Sequence, residues 1–205
     1  MEDRKPTQPY LRQQTRRAMI AAAAIALILE KGAAALRTRD VAARVGINIS
    51  TLHFHVATNS DLLLLVAETV REAFGSLLPP APDPARSARD QLRAEVQAYH
   101  DSLRDRPELA ACFAQLTPIA PSEPEIGALI EAFTRSWCAR YVEILTLGRA
   151  QGVFRADLEP LPAALMITGA LTAFGPRGPG GLALFWPVFT EIEHGLLARP
   201  EGGLR

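Results

Sequence analysis

Apolar side chains recur at helical spacing along nearly the whole chain. Ile20, Ala23, Ala24, Leu27 and Ile28 fall at i, i+3, i+4, i+7 and i+8, the stripe of an amphipathic helix. Lys31-Gly32 closes it with a basic last turn and a C-terminal glycine. A short stripe of Val41, Ala42 and Val45 follows, then a longer one through Leu62, Leu63, Val66, Ala67, Val70 and Phe74. Five further helices are predicted beyond it. Their marks are Leu92, Val96, Tyr99 and Leu103, then Leu109, Phe113 and Leu116 behind Pro107. The longest buries Ile126, Ile130, Phe133, Trp137, Tyr141 and Ile144, opens on a Ser122-Glu123-Pro124-Glu125 capping box and stops near Gly152. Another spans Pro162 to Phe174, and the last carries Leu182, Phe185, Phe189, Ile192 and Leu196 at 3-4-3-4 spacing. Pro187 implies that this final helix is kinked or begins near Trp186. Segments 79–87 and 117–124 read as Pro-rich connectors, and Gly175 to Gly181 as a flexible loop. The pattern predicts an all-α chain.

The most informative stretch is short. Thr38 to Val45 and Ile49 to Val56 read as two helices joined by Gly46-Ile47-Asn48. Thr38 is expected to cap the first, and Gly46 to end it in a left-handed conformation. Asn48 caps the second, with Ile47 positioned to staple onto Leu52. Ser60 is expected to open the helix that follows, from Ser60 to Leu78. A capped pair of this size is the layout of a helix-turn-helix, whose second helix enters the major groove of DNA.

Glu30-Lys31-Gly32, Thr38-Arg39-Asp40-Val41-Ala42, Gly46-Ile47, Thr51-Leu52-His53-Phe54-His55-Val56 and Asp61-Leu62-Leu63 carry a resemblance to the TetR family of transcriptional regulators, close over roughly residues 15 to 65. The resemblance implies an N-terminal three-helix head that binds DNA (residues 1–59) and a C-terminal helical body for ligand binding and dimerisation (residues 60–205). It also implies that Thr38 holds a phosphate at a helix N-terminus and that Arg39 reads a base or grips the backbone. Ile49, Ser50 and Thr51 then face base edges, with Asn48 beside them among the DNA-binding residues, while His53, Phe54 and His55 lie along the sugar–phosphate wall. Three positions depart from the family pattern. His53 stands where the family usually has a phosphate-binding Tyr, Asn59 where a Lys commonly grips the backbone, and Val56 where many members have Phe. Each lost Lys–phosphate contact lowers the salt dependence of binding by about one counterion per half-site.

Charge agrees with a DNA-facing N-terminal part. The chain carries 22 basic and 22 acidic residues, yet residues 1–60 hold nine Lys and Arg against four Asp and Glu. The remainder holds thirteen against eighteen. Halves of opposite sign suit a head drawn to phosphates on a body that is not. Arg4, Lys5, Arg12, Arg16, Arg17, Arg37, Arg39 and Arg44 supply the positive charge around the motif. No charge-free stretch of about 18 apolar residues is present, so no membrane span is predicted. The Ala-rich run from Ala18 to Leu29 ends in Glu30-Lys31 without a small-residue cleavage site, and fits a first helix better than a signal peptide. Cys112 and Cys138 read as buried thiols of a cytoplasmic protein.

In the body, Tyr99, His100, Phe113, Trp137, Tyr141, Met166 and Phe174 are the candidate lining of an effector pocket, for which few charges imply a neutral, apolar or aromatic small molecule. Phe185, Phe189, Ile192 and Leu196 are the candidate dimer seam, with helices over about 162–174 and 183–198 joining two copies. A twofold pair suits two half-sites in successive major grooves. No catalytic residue, metal site or cofactor is expected. His53 and His55 lie two apart on a helix without a completing ligand set, and the glycine-rich stretch at 175–181 lacks a phosphate-binding Lys. The sequence thus predicts a homodimeric, sequence-specific DNA-binding regulator, a ligand-responsive repressor with operator DNA and a small molecule as partners. The alternative is a helical small-molecule-binding or interaction protein with weakened DNA binding.

Overall fold

The computed structural model describes residues 8–198. Among them the chain is helical with no strand; only an isolated antiparallel bridge joins Phe154 and Leu197. The helices are α1 (Gln8–Lys31), α2 (Thr38–Val45), α3 (Ile49–His55), α4 (Asn59–Leu77), α5 (Ala88–Asp105), α6 (Pro107–Leu116), α7 (Pro124–Ala150), α8 (Pro160–Thr172), a one-turn α9 (Gly178–Gly181) and α10 (Phe185–Leu196). They form two compact units, one of residues 1–72 with 112–130 and one of 73–111 with 131–205.

In the first unit, Ile20, Ala24, Leu27 and Ile28 of α1 are buried as their spacing requires, and Ala21 joins them. Val41 and Ala42 from α2, Leu52 from α3, and Leu62, Leu63, Val66, Ala67 and Val70 from α4 complete this core. Burying such side chains contributes roughly 1.5–3 kcal/mol each, so the small head gains a fixed frame. Cys112 is buried in this unit and Cys138 in the other; both are free thiols. Burial pushes the Cys112 thiol up to about 12.

The second unit is built on an aromatic core. Tyr99 stacks at 5.1 Å from Trp137, Trp137 meets Tyr141 edge-on at 5.6 Å, and Phe185 lies 5.0 Å from Phe174. Two ion pairs stitch helices far apart in sequence. Glu193 of α10 has a fully buried carboxylate that accepts from Arg93 and Arg89 of α5. Glu95, buried on α5, accepts from Arg140 of α7, whose guanidinium also donates to the Pro79 and Pro80 carbonyls at 2.9 Å each.

Several expectations change here. Ser122 does not cap α7: its hydroxyl donates to the Ile119 carbonyl and closes a 3-10 segment over Thr117–Ser122. The stretch 175–181 is no loose loop, because its glycines and prolines wind into successive 3-10 and α turns. α8 starts at Pro160 rather than Pro162, since Pro160 fits the first helical position without losing a hydrogen bond. α10 does begin next to Trp186, at Phe185, as one of the two readings of Pro187 had it, so Pro187 falls in the first turn, where amide hydrogens have no intrahelical acceptor.

The seam on α10 faces inward. Phe185, Phe189 and Leu196 are buried in the unit's own core, so they are not an interface, and Ile192 is half-buried against the same core. Their 3-4-3-4 spacing specifies an apolar stripe without saying what covers it. The apolar residues that α8 and the last helical segment leave outside are instead Leu161, Leu165, Met166, Leu184 and Val188. Met166, expected to line a pocket, is 54% exposed. Phe113 belongs to the other unit.

Candidate nucleic-acid interface

The turn between α2 and α3 has the geometry its residues demand. Gly46 adopts φ 73°, ψ 34°, and its amide donates to the Ala43 carbonyl at 3.2 Å. A residue with a Cβ is strained in that left-handed region. Asn48 then caps α3, its Oδ1 accepting from the Thr51 amide at 2.7 Å. Leu52, with no exposed surface, anchors the inner side of α3. With that side fixed, the opposite one faces solvent: Ile49, Ser50, His53 and Phe54 are exposed, Phe54 by 79%. Ile49 and His53 form one ridge and Ser50 and Phe54 the next, as residues four apart do on a helix.

Two cap assignments are corrected. Thr38 is already the first residue of α2, and the capping position is the extended Arg37, which makes no side-chain cap bond. Thr38 therefore keeps its amide at the helix start without being tied up as a cap. Ser60 does not cap α4 either. Thr58 does, in a reciprocal box: its Oγ1 accepts from the Asp61 amide at 3.0 Å, and Asp61 accepts from the Thr58 amide at 2.9 Å. The Thr58-x-x-Asp61 spacing that sets this cap lies two residues upstream of Ser60 in the sequence. Ser60 instead donates to Glu123 at 3.2 Å.

Not every cation around the motif is available to a ligand. Arg44 is forked onto Glu30 at 2.6 and 2.8 Å, and Lys31 is paired with Asp40. Arg37 donates to the Ala34 and Leu36 carbonyls. Arg17 donates to the carbonyl of His55, closing the end of α3, and lies 3.7 Å from Glu68. Arg39 differs in exposure: 84% of its side chain faces solvent, and its Nε lies 3.5 Å from the Asp40 carboxylate that also pairs with Lys31. Arg4, Lys5 and the side chain of Arg12 lie outside the described residues.

His53 and His55 have different surroundings. His53 is exposed, and its Nδ1 lies 2.9 Å from the Ala57 carbonyl. His55 is half-buried, and its Nδ1 has no hydrogen-bond partner among the described residues. Burial, and then the charges of Arg16 and Arg17, push its ionisation below the usual range, so it is held neutral. The buried Asn59 Oδ1 at the start of α4 also has no partner among the described residues. Among those residues no three metal-ligating side chains come together.

In the second unit, the candidate lining residues Tyr99, Trp137, Tyr141 and Phe174 do come together, with His100 edge-on to Phe185 at 5.0 Å. Sequence reasoning missed their polar companion, Glu95. Its Oε2 and the hydroxyl of Tyr141 are buried without partners among the described residues. Burial raises the Glu95 carboxyl above the usual range, and Arg140 works against that rise. No local pattern marks an acid whose partner lies 45 positions away.

Residues 20–65 match the family model described as bacterial regulatory proteins of the tetR family. No curated relative matches the sequence. Among solved structures, a TetR transcription regulator from Haloarcula marismortui is similar at 15% identity over 90% of this chain and 99% of its own, with a TM-score of 0.79. A tetR-family regulatory protein from Rhodococcus RHA1 is 22% identical over 89% and 97%, TM-score 0.75. A putative transcriptional regulator from Saccharomonospora viridis, solved in complex with choline, is 24% identical over 91% and 100%, TM-score 0.74. At these identities the likeness speaks for the fold, while the sequence match of residues 20–65 speaks for the head. No helix among the described residues is long and apolar enough to cross a membrane. With its capped reading helix, left-handed Gly46 and family-model match, the stretch of residues 20–65 is a tetR-family helix-turn-helix head, and the chain as a whole shares the fold of the TetR-family regulators to which it is similar.

Proposed function

We propose that the protein is a cytoplasmic homodimeric repressor that reads operator DNA with α3 and releases it when a small molecule binds the body. One observation carries the DNA half: the exposed Ile49, Ser50, His53 and Phe54 face of a helix held rigid by the Asn48 cap and buried Leu52. Residues 1–59 act as the reading domain and 60–205 as the effector and dimer domain. Within the head, Ile49, Ser50 and Thr51 meet base edges and Thr38 meets a phosphate. Arg39 forks onto guanine O6 and N7 or grips the backbone.

The dimer surface is the outward face of α8, bearing Leu161, Leu165 and Met166, and of α10, bearing Val188, with Leu184 on the 3-10 turn just before α10. Exposed apolar side chains clustered on two helices that pack together favour a covered face over a wetted one. The effector sits beside Tyr99, Trp137 and Tyr141, where the Tyr141 hydroxyl and Glu95 Oε2 await polar partners. Glu95 already pairs with Arg140, so a neutral molecule with a hydrogen-bonding group fits better than a free cation. Such a ligand acts only through unequal affinity for the DNA-competent and DNA-incompetent states.

Selection of bound duplexes from fragmented genomic DNA tests the reading. A recurrent twofold-symmetric site, bound in a salt-sensitive way and lost in Arg39→Ala, is expected. Recovery of no preferred sequence would leave the protein without its operator and overturn the repressor assignment. Leu165→Glu with Val188→Glu should sediment as a monomer; an unchanged dimer would move the interface elsewhere.

A further inference from the structure

His53 is tied on one side and open on the other. Its Nδ1 sits 2.9 Å from the Ala57 carbonyl, and a carbonyl only accepts, so Nδ1 must carry the hydrogen. In the neutral ring that leaves Nε2 as a bare acceptor on an exposed side chain. A phosphate oxygen is an acceptor as well, so neutral His53 repels what α3 brings it toward. We infer that His53 contacts a DNA phosphate through Nε2 only as the doubly protonated imidazolium, so that each head takes up a proton when it binds operator. This rests on α3 being the reading helix. Its position supports the contact: His53 lies one turn beyond Ile49 on the same outward ridge, where a helix lying in the groove passes from base edges to the backbone wall.

The charged groups that face His53 already have partners. Across the groove that His53 and Phe54 border, Arg17 projects from α1 and Asp61 and Glu68 from α4. Arg17 is occupied by Glu68 and the His55 carbonyl, and Asp61 by the Thr58 amide. His55, the other imidazole here, is held neutral by burial and by Arg16 and Arg17. Among the described residues of the head, His53 is then the imidazole left to meet an approaching phosphate. An approaching phosphate stabilises the charged form, and by linkage a lower pH stabilises the bound state.

Anisotropy titrations of the duplex selected with the wild-type protein, at fixed salt from pH 8 to pH 6, measure the uptake. Wild type should tighten by about tenfold per head, the ratio that one unit of differential protonation supplies. Two substitutions separate the two ring nitrogens. His53→Gln places an amide donor near Nε2 that does not titrate; it should bind at all pH values with no slope. His53→Asn keeps a donor near Nδ1 for Ala57 but has nothing at Nε2; it should bind weakly and without slope. If the imidazole merely closes the α3–α4 turn, the order reverses, with Asn behaving as wild type and Gln weak. A flat wild-type profile, or a slope kept in His53→Gln, also overturns the inference. Failure to select any preferred duplex at either pH overturns the DNA-reading function itself, and is distinguishable from these.

Discussion

The reading head and the effector body are held together over different distances along the chain. In the head, the polar contacts that fix the two ends of α3 mostly span three or four residues, Asn48 to Thr51, Thr58 to Asp61 and His53 to Ala57, with Arg17 to the His55 carbonyl as the long-range one. Its ion pairs Arg44–Glu30 and Lys31–Asp40 span 14 and 9. In the body, Glu193 reaches Arg93 and Arg89 across 100 and 104 residues, Glu95 reaches Arg140 across 45, and Gln151 accepts from the Ala88 amide across 63. A reading surface must keep its shape whatever the rest of the chain does, and short-range bonds provide that. Long-range ties between helices instead register any displacement of one helix against another.

The largest expected effect follows from cutting one of those ties. Arg89→Ala with Arg93→Ala leaves the fully buried Glu193 carboxylate without its donors, which costs about 3–5 kcal/mol. Hydrogen bonds from Arg93, then Arg89, hold that carboxyl down to about 2 against the opposing effect of burial. Its folded value thus lies below the unfolded one, about 4.3. Its contribution is complete above about pH 4.3 and is lost as pH falls toward 2. Urea midpoints at pH 7 and pH 3 should show a large loss for the double variant at pH 7 and a much smaller one at pH 3. An equal loss at both would mean that the ion pair is not what stabilises α10.

The same contrast in span explains what the sequence could reveal. Gly46, Asn48 and the buried stripe of α1 were legible because their causes lie within one helical turn. The caps on α2 and α4 were displaced by one and two positions. Arg37 is the extended residue before α2, and Thr58-x-x-Asp61 outcompetes Ser60 for the start of α4. On α10, the spacing of Phe185, Phe189 and Leu196 announced an apolar face but not its direction, since core and interface ask for the same residues. Glu95 and Glu193 were invisible because an acid's partner on another helix leaves no local mark.

A second test adds volume instead of removing charge. Gly148 on α7 lies directly under the Phe154 ring, and an added Cβ would collide with that ring's Cδ2 and Cε2. Phe154 is almost fully buried, and its amide donates to the Gly148 carbonyl at 3.1 Å, so the ring has little room to yield. Gly148→Ala should cost about 1–3 kcal/mol through overpacking. In a melting scan that is a drop of about 2–4 °C for each kcal/mol in a chain of this size. A wild-type melting temperature would show that the loop after α7 accommodates the change, and that the body is looser than its contacts imply.

The smallest thermodynamic effect belongs to the head, and there it matters most for function. Asn48→Ala removes the oxygen that accepts from the Thr51 amide, a loss of about 1 kcal/mol at a helix start. α3 is only seven residues long, so a frayed first turn displaces Ile49, Ser50 and Thr51 together. Operator affinity should therefore fall by more than the roughly fivefold that 1 kcal/mol represents, while the urea midpoint barely moves. Asn48→Ser should restore both, because a serine hydroxyl serves as a cap nearly as well. If Asn48→Ala instead unfolds the chain as readily as loss of Arg89 and Arg93, the head is not the independently braced element its short-range bonds describe. If it changes neither stability nor affinity, the start of α3 is fixed by the DNA itself.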